Sequence, residues 1–171
     1  KKMMDTATVR GNVSMEELQQ AVQPAIDSIL RNPNALAWTV FSRKRSSENY
    51  NRTVGTAIWC LMFGRHLNFD RDMLEELALG GMLLDIGNST LPKSIAATAG
   101  AITQEQKAML RQHVEMGARI LSQSASVPQT VVDMVSSHHE RFDGSGYPRG
   151  LYGNQIPPFG RIAGIADAYD A

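Results

Sequence analysis

Cysteine is nearly absent from this chain of 171 residues, with Cys60 the single one. No disulfide framework can form, and a reducing, cytoplasmic setting is expected. Cys60 lies within Ile58-Trp59-Cys60-Leu61-Met62-Phe63, an apolar setting that reads as core packing rather than as a nucleophile. Net charge is absent too. Lys plus Arg and Asp plus Glu each number 17, so no global field draws in a nucleic-acid polymer or a membrane surface. The one local basic run, Arg43-Lys44-Arg45, reads as a solvated helix end. No apolar run approaches the roughly 18 residues of a membrane span, and no membrane insertion is expected. The start, Lys1-Lys2-Met3-Met4-Asp5, lacks the apolar stretch of a signal peptide. The chain does not begin cleanly at an initiator Met and stops at Asp170-Ala171 inside an apparent helix. A C-terminally truncated piece of a longer protein is therefore expected.

Alternating strand patterns, internal repeats and low-complexity stretches are also lacking. What is present is helical periodicity and helix punctuation, with an apolar fraction of 43% that suffices for a core. Residues 1–12 are polar without a period and read as loose. Ser14 with Glu17 forms a capping box, and Val13 with Leu18 a hydrophobic staple. Leu18, Val22, Ala25, Ile26 and Ile29 share one face, and Pro24 is expected to kink or split that helix. A short helix is expected over Ala35 to Phe41, and a long one from Ser47 to Arg65. Asp70 caps the next. Thr103 with Gln106 caps one bearing Met109, Leu110, Val114, Ala118, Ile120 and Leu121. Another follows Pro128 and ends at His138-His139. A Gly- and Pro-rich loop runs from Arg141 to Pro158, and the last helix from Arg161 to the end. The fold class is all-α, with helices around one core. Residues 1–45 read as a helical extension and residues 46–171 as the domain proper.

Imidazoles and carboxylates are what a hard or borderline divalent cation wants. Asp85 ends one helix, His113 lies inside another, His138 and His139 end a third, and Asp167 is on the last. Adjacent histidines on a regular helix point about 100 degrees apart. His138 and His139 can face one cavity only at a helix end, where Gly144 and Gly146 just beyond relax the turn. Any one of these histidines alone reads as a surface or capping residue; the set together with Asp167 reads as a metal site.

The run His138-His139-Glu140-Arg141-Phe142-Asp143-Gly144-Ser145-Gly146-Tyr147-Pro148 resembles the signature loop of the HD-GYP family, the cyclic di-GMP phosphodiesterases of the HD superfamily. Gly150-Leu151-Tyr152-Gly153-Asn154-Gln155-Ile156-Pro157, Arg161-Ile162, Ile165 to Ala171 and His113-Val114-Glu115-Met116-Gly117 continue the likeness over residues 46–171. The resemblance implies a helical bundle around a two- or three-iron site in a bacterial signalling protein, with the Gly-Tyr-Pro loop beside the substrate. It implies that Asp85 is the bridging aspartate, that His113, His138 and His139 serve one metal position, and that Asp167 serves the other. It also implies that the loop of Asp143, Gly144, Gly146, Tyr147 and Pro148 contacts cyclic di-GMP or a GGDEF-domain partner. Tyr147 is free in that picture either to stack on a guanine or to be pinned by its own turn.

Three departures from the family pattern carry the functional expectation. The His-Asp pair reads Leu84-Asp85, so a ligand has become a hydrocarbon. The lysine implied to contact substrate phosphate reads Asn88. The first metal histidine falls at Arg52, or at Asn51 if the register slips by one. Downstream, the family's Lys-Pro-Gly reads Thr98-Ala99-Gly100. Leucine donates no lone pair, and a guanidinium stays protonated at any working pH. One divalent metal at most, iron or manganese, is expected, or none. Arg52 either fills the second metal position, paired with Asp167 or Asp85, or points to solvent. The expected function is a catalytically silent regulatory or docking module in cyclic di-GMP signalling. The alternative is an active phosphodiesterase with a reduced metal site.

Overall fold

The computed structural model describes residues 14–32, 34, 36, 48–92, 95 and 102–171. The start at 1–12, the Val13 staple, most of the helix expected over 35–41, Trp38, the basic run at 43–45, the boundary at 45/46 and the segment 98–100 lie outside the described residues. Among the described residues seven α-helices occur: α1 Met15–Arg31, α2 Glu48–His66, α3 Arg71–Leu83, α4 Gln104–Arg111, α5 His113–Ser122, α6 Gln129–Ser137 and α7 Pro158–Asp170. Two short 3-10 helices, Ile86–Thr90 and Gly153–Gln155, complete them. The described residues include no strand, only an isolated bridge between Asp143 and Tyr152.

The caps at Asp70 and Thr103 follow the sequence, while the box expected at Ser14 is made only in its Ser14 half. Ser14 accepts from the Glu17 amide at 3.3 Å, and Asp70 accepts from Met73 at 2.9 Å. Thr103 and Gln106 bond each other reciprocally at 3.2 and 2.8 Å, satisfying two amides that a helix start otherwise leaves unpaired. Pro24 does not split its helix, because α1 buries Met15, Leu18, Val22, Ile26 and Ile29. Each buried aliphatic side chain contributes about 2 kcal/mol, and together they exceed the ~3 kcal/mol that an interior proline costs.

Helix α3 is the centre of the bundle, in contact with α1, α2, α6 and α7. Its buried residues, Leu74, Leu77, Ala78, Leu79, Gly80, Gly81 and Leu83, leave little polar face, as befits a helix surrounded by others. A side chain at Gly81 would meet the Ala57 Cα at 2.7 Å; this lack of bulk lets α2 cross close by. Cys60 is fully buried in the core, and burial pushes its thiol pKa up.

The helix expected from Thr103 onward is two helices, and its expected core residue Met109 is exposed. The break has a local cause. The Gln112 amide turns to the Met109 and Leu110 carbonyls, and the His113 ring meets the Leu110 carbonyl with Nδ1 at 2.6 Å. The interruption thereby fixes the orientation of His113. Helix α7 begins at Pro158 rather than at Arg161, since proline suits a first turn whose amides have no partner.

The 3-10 helix after Asp85 packs on the start of α5. A Cβ at Gly87 would strike the His113 carbonyl oxygen and come within 2.7 Å of the Gly117 amide. Backbone atoms cannot move aside as a side-chain end can. Gly87→Ala is expected to lower the urea-unfolding free energy by about 3 kcal/mol; a loss within error of zero would contradict this packing.

Candidate metal centre

Three imidazoles meet in one place. His113 from α5 and His138 and His139 from the end of α6 bring one ring nitrogen each within 4.8 Å of one another. The chain achieves the His138-His139 pairing by ending α6 at Ser137 and turning at once, with Glu140 donating its amide to the Ser137 carbonyl at 2.9 Å. The two rings lie 4.1 Å apart between centroids. His138 Nδ1 meets the Val135 carbonyl at 2.7 Å, as His113 Nδ1 meets that of Leu110. Each carbonyl can only accept, so each Nδ1 carries the proton and each Nε2 a lone pair. Those two Nε2 atoms face each other at 3.5 Å. Facing lone pairs in a buried site repel unless a cation lies between them. Backbone carbonyls orienting the far nitrogen are also the usual support for metal-ligating histidines. The donor set therefore fits one divalent cation.

The electrostatics keep His138 and His139 neutral. Burial, together with the neighbouring His113, holds the His138 pKa below its ordinary value. His139 is brought down to about 2 by burial, then by His138, His113, Arg141 and Arg52. Neutral imidazole is the metal-binding form.

The carboxylates behave differently from the imidazoles. Asp85 Oδ1 is 3.5 Å from His113 Nε2, so Asp85 stands at the edge of the cluster. Its other oxygen is 3.8 Å from Arg52 Nε. Asp167, nearly buried, accepts from Arg52 Nη2 at 2.7 Å. Burial works against the guanidinium charge, but the Asp167 hydrogen bond and the charges of Asp167, Asp85 and Asp170 outweigh it, and the Arg52 pKa is raised. Arg52 thus lies between the two aspartates. A permanent cation with no lone pair occupies the space beside Asp167, and this position does not fit a metal ion. Leu84 is buried with the hydrophobic core, and Asn88 is half-buried on the 3-10 helix. The side chain of Asn51 is outside the described set.

The loop after His139 is held by Glu140, a residue of the motif whose type does not by itself announce a role. Glu140 is buried, and its two oxygens accept the Arg149 and Leu151 amides at 2.8 and 2.9 Å. Its position after paired histidines and before a Gly-rich loop is the signal that could have found it. Arg141 Nη1 donates to the His138 and Glu140 carbonyls. Asp143 accepts from the Ser145 amide and hydroxyl at 2.9 and 2.6 Å, closing a local turn. Gly144 takes the left-handed conformation with φ of 78°, and Gly146 lies against the Glu140 backbone with no room for a Cβ. The Tyr147 amide returns to the His139 carbonyl at 3.1 Å, and Pro148 follows through a cis peptide bond. The Tyr147 ring stacks on His139 with centroids 4.7 Å apart, and the Arg111 guanidinium lies over it at 4.6 Å. Burial pushes the Tyr147 phenol up to about 12, against the lowering effect of Arg111 and Arg141. Arg111 was not singled out from sequence; nothing in its spacing announces a partner 36 residues away.

A family model for the HD domain matches residues 34–171. The cyclic di-GMP phosphodiesterase PA4108 of Pseudomonas aeruginosa is 38% identical over 146 residues, which are 84% of this chain and 35% of that protein. A cyclic di-GMP phosphodiesterase of Thermotoga maritima is 34% identical over 133 residues, 77% of this chain and 36% of that one. The chain thus spans about a third of the length of these two relatives. A 3'3'-cGAMP-specific phosphodiesterase of Vibrio cholerae is 33% identical over 128 residues, 74% of this chain and 24% of that protein. Among solved structures, the HDG"Y"P protein Bd1817 of Bdellovibrio bacteriovorus superposes with a TM-score of 0.83 at 22% identity, over 98% of this chain and 55% of that one. That likeness speaks to the fold. No helix among the described residues is long and apolar enough to cross a membrane.

Two expectations follow. Arg52→Leu strands the nearly buried Asp167 without its cation, and unfolding free energy should fall by about 2 kcal/mol, discounted because Arg52 is half-exposed; a variant as stable as the parent would remove the pairing from the account. His138 and His139 titrate near their ordinary value of about 6.5 when unfolded but have lowered pKa values when folded. Below that pH the unfolded chain binds more protons, so metal-free protein is fully stabilised above pH ~6.5 and loses stability as pH falls below it. His139→Gln should flatten that slope in urea titrations at several pH values.

Proposed function

This chain belongs to the HD domain family, in its HD-GYP branch, and from that membership we propose that it serves cyclic di-GMP signalling as a single-metal domain that binds the nucleotide without hydrolysing it. The observation that carries the reading is the 2.7 Å ion pair between Arg52 and Asp167. Two-metal hydrolysis stabilises the attacking and the leaving oxygen with separate ions. A guanidinium beside Asp167 restores charge balance there but offers no coordination site. Losing one ion removes several kcal/mol of transition-state stabilisation, a rate loss of roughly a thousandfold or more.

The remaining ion would be held by His113, His138 and His139, with Asp85 alongside. When bound, such an ion supplies Lewis-acid polarisation of a phosphoryl oxygen. The protein's own groups do the rest. The Leu110 and Val135 carbonyls aim the Nε2 lone pairs inward. Asp85 sets one oxygen 3.5 Å from His113 Nε2 and the other 3.8 Å from Arg52 Nε. Glu140 fixes the Arg149 and Leu151 end of the loop that carries Tyr147. In this reading the loop Asp143 to Pro148, held from within, is a preformed surface for a partner, a GGDEF domain by family resemblance. Preformed loops bind without further ordering cost.

The convergence of three imidazoles favours a second reading, slow hydrolysis through the reduced site. Metal analysis with a turnover assay separates the two. Protein loaded with manganese or iron should hold one ion per chain, and His138→Ala none. Cyclic di-GMP should bind and be recovered intact. Linear product at one ion per chain would favour the second reading, and two ions per chain with turnover would overturn both.

A further inference from the structure

The edge of the histidine cluster carries a positive charge that no acidic side chain among the described residues answers. Arg111 ends α4, two residues before His113, and is exposed. Among the described residues it has no carboxylate partner. Two other guanidiniums beside the imidazoles are engaged: Arg52 by Asp167, and Arg141 by the His138 and Glu140 carbonyls. The 3-10 helix Ile86–Thr90 beside Asp85 carries no basic residue. Among the described residues Arg111 is thus an exposed cation beside the imidazoles with no carboxylate partner.

It is also held in place. The guanidinium lies 4.6 Å from the Tyr147 ring centroid, and the same ring stacks on His139 within 25° of parallel. A cation packed on an aromatic face has lost rotamer freedom before any ligand arrives. Its outward N–H groups are free to form charge-assisted bonds to an anion, and the planar fork matches two oxygens of one phosphate. The Tyr147 ring, engaged by His139 and Arg111, is a platform for the guanidinium.

We propose that Arg111 is a ligand-binding residue of this pocket, contacting a phosphodiester oxygen of the nucleotide while Tyr147 holds the guanidinium over His139. The proposal rests on the reading that the pocket takes a cyclic dinucleotide, and it names the group that supplies phosphate recognition.

Calorimetric titration of metal-loaded protein with cyclic di-GMP, at low and at high salt, tests it. Arg111→Ala should weaken binding about tenfold or more at low salt, and the difference should narrow at high salt as the charge is screened. Tyr147→Phe keeps the ring and should bind like the parent. Because Arg111 is exposed, Arg111→Ala should keep the parent's thermal midpoint and metal content. Equal affinity of parent and Arg111→Ala overturns the proposal and leaves the broader reading standing. So does loss of metal in Arg111→Ala, which would make Arg111 a support for His139. A parent protein that binds no cyclic di-GMP overturns both.

Discussion

The Arg52 guanidinium reaches from α2 to Asp167 on α7, a contact between residues 115 apart in sequence, and comes to 3.8 Å from Asp85 at the end of α3. Helix α2, the turn after α3 and helix α7 are thus joined by a single charge. A nearly buried carboxylate calls for a cation or hydrogen-bond donors beside it. A metal ion meets that need only when it is bound. A guanidinium meets it at every working pH and metal concentration, because it never loses its proton. The neighbouring imidazoles are left with their own problem, facing lone pairs that Arg52 does not reach. The pocket therefore has two parts. One is closed by the chain itself, and the other has donors arranged for something from outside.

The loop has a similar internal economy. Glu140 lies between the two histidines and the Gly-Tyr-Pro turn, and its carboxylate takes amides from the loop's return. Tyr147 comes back over His139. The loop conformation is thus tied to the imidazole cluster through covalent neighbours and a ring stack, with no exogenous group needed to hold it.

Much of the architecture was legible. Ser14, Asp70 and Thr103 announced helix starts because capping is a local matter between a side chain and an amide two or three residues on. The pairing of His138 with His139 in one pocket was legible because a helix end and a Gly-rich continuation are both visible in sequence. One misreading occurred where a distant contact outweighed a local rule, the other where a local bond carried no periodic signal. Pro24 should have interrupted α1, but α1 is held on α3 by its buried face. Met109 fitted the apolar periodicity of one long helix, yet the break at Gln112 leaves it exposed. That break depends on a side-chain bond from His113 to a backbone carbonyl, which periodicity does not report.

By itself the sequence determined the helices, the donor types and the absence of a lone pair at Leu84 and Arg52, since these follow from local propensity and from the chemistry of each side chain. Where those side chains ended up was decided by the tertiary structure. Leu84 went into the core and Arg52 between two aspartates, while Arg111 settled over a tyrosine ring from a different part of the chain. The reason is that burial and charge pairing are properties of neighbours brought together by packing. A guanidinium has several partners available in sequence, and only the folded arrangement of α2, α3 and α7 selects Asp167.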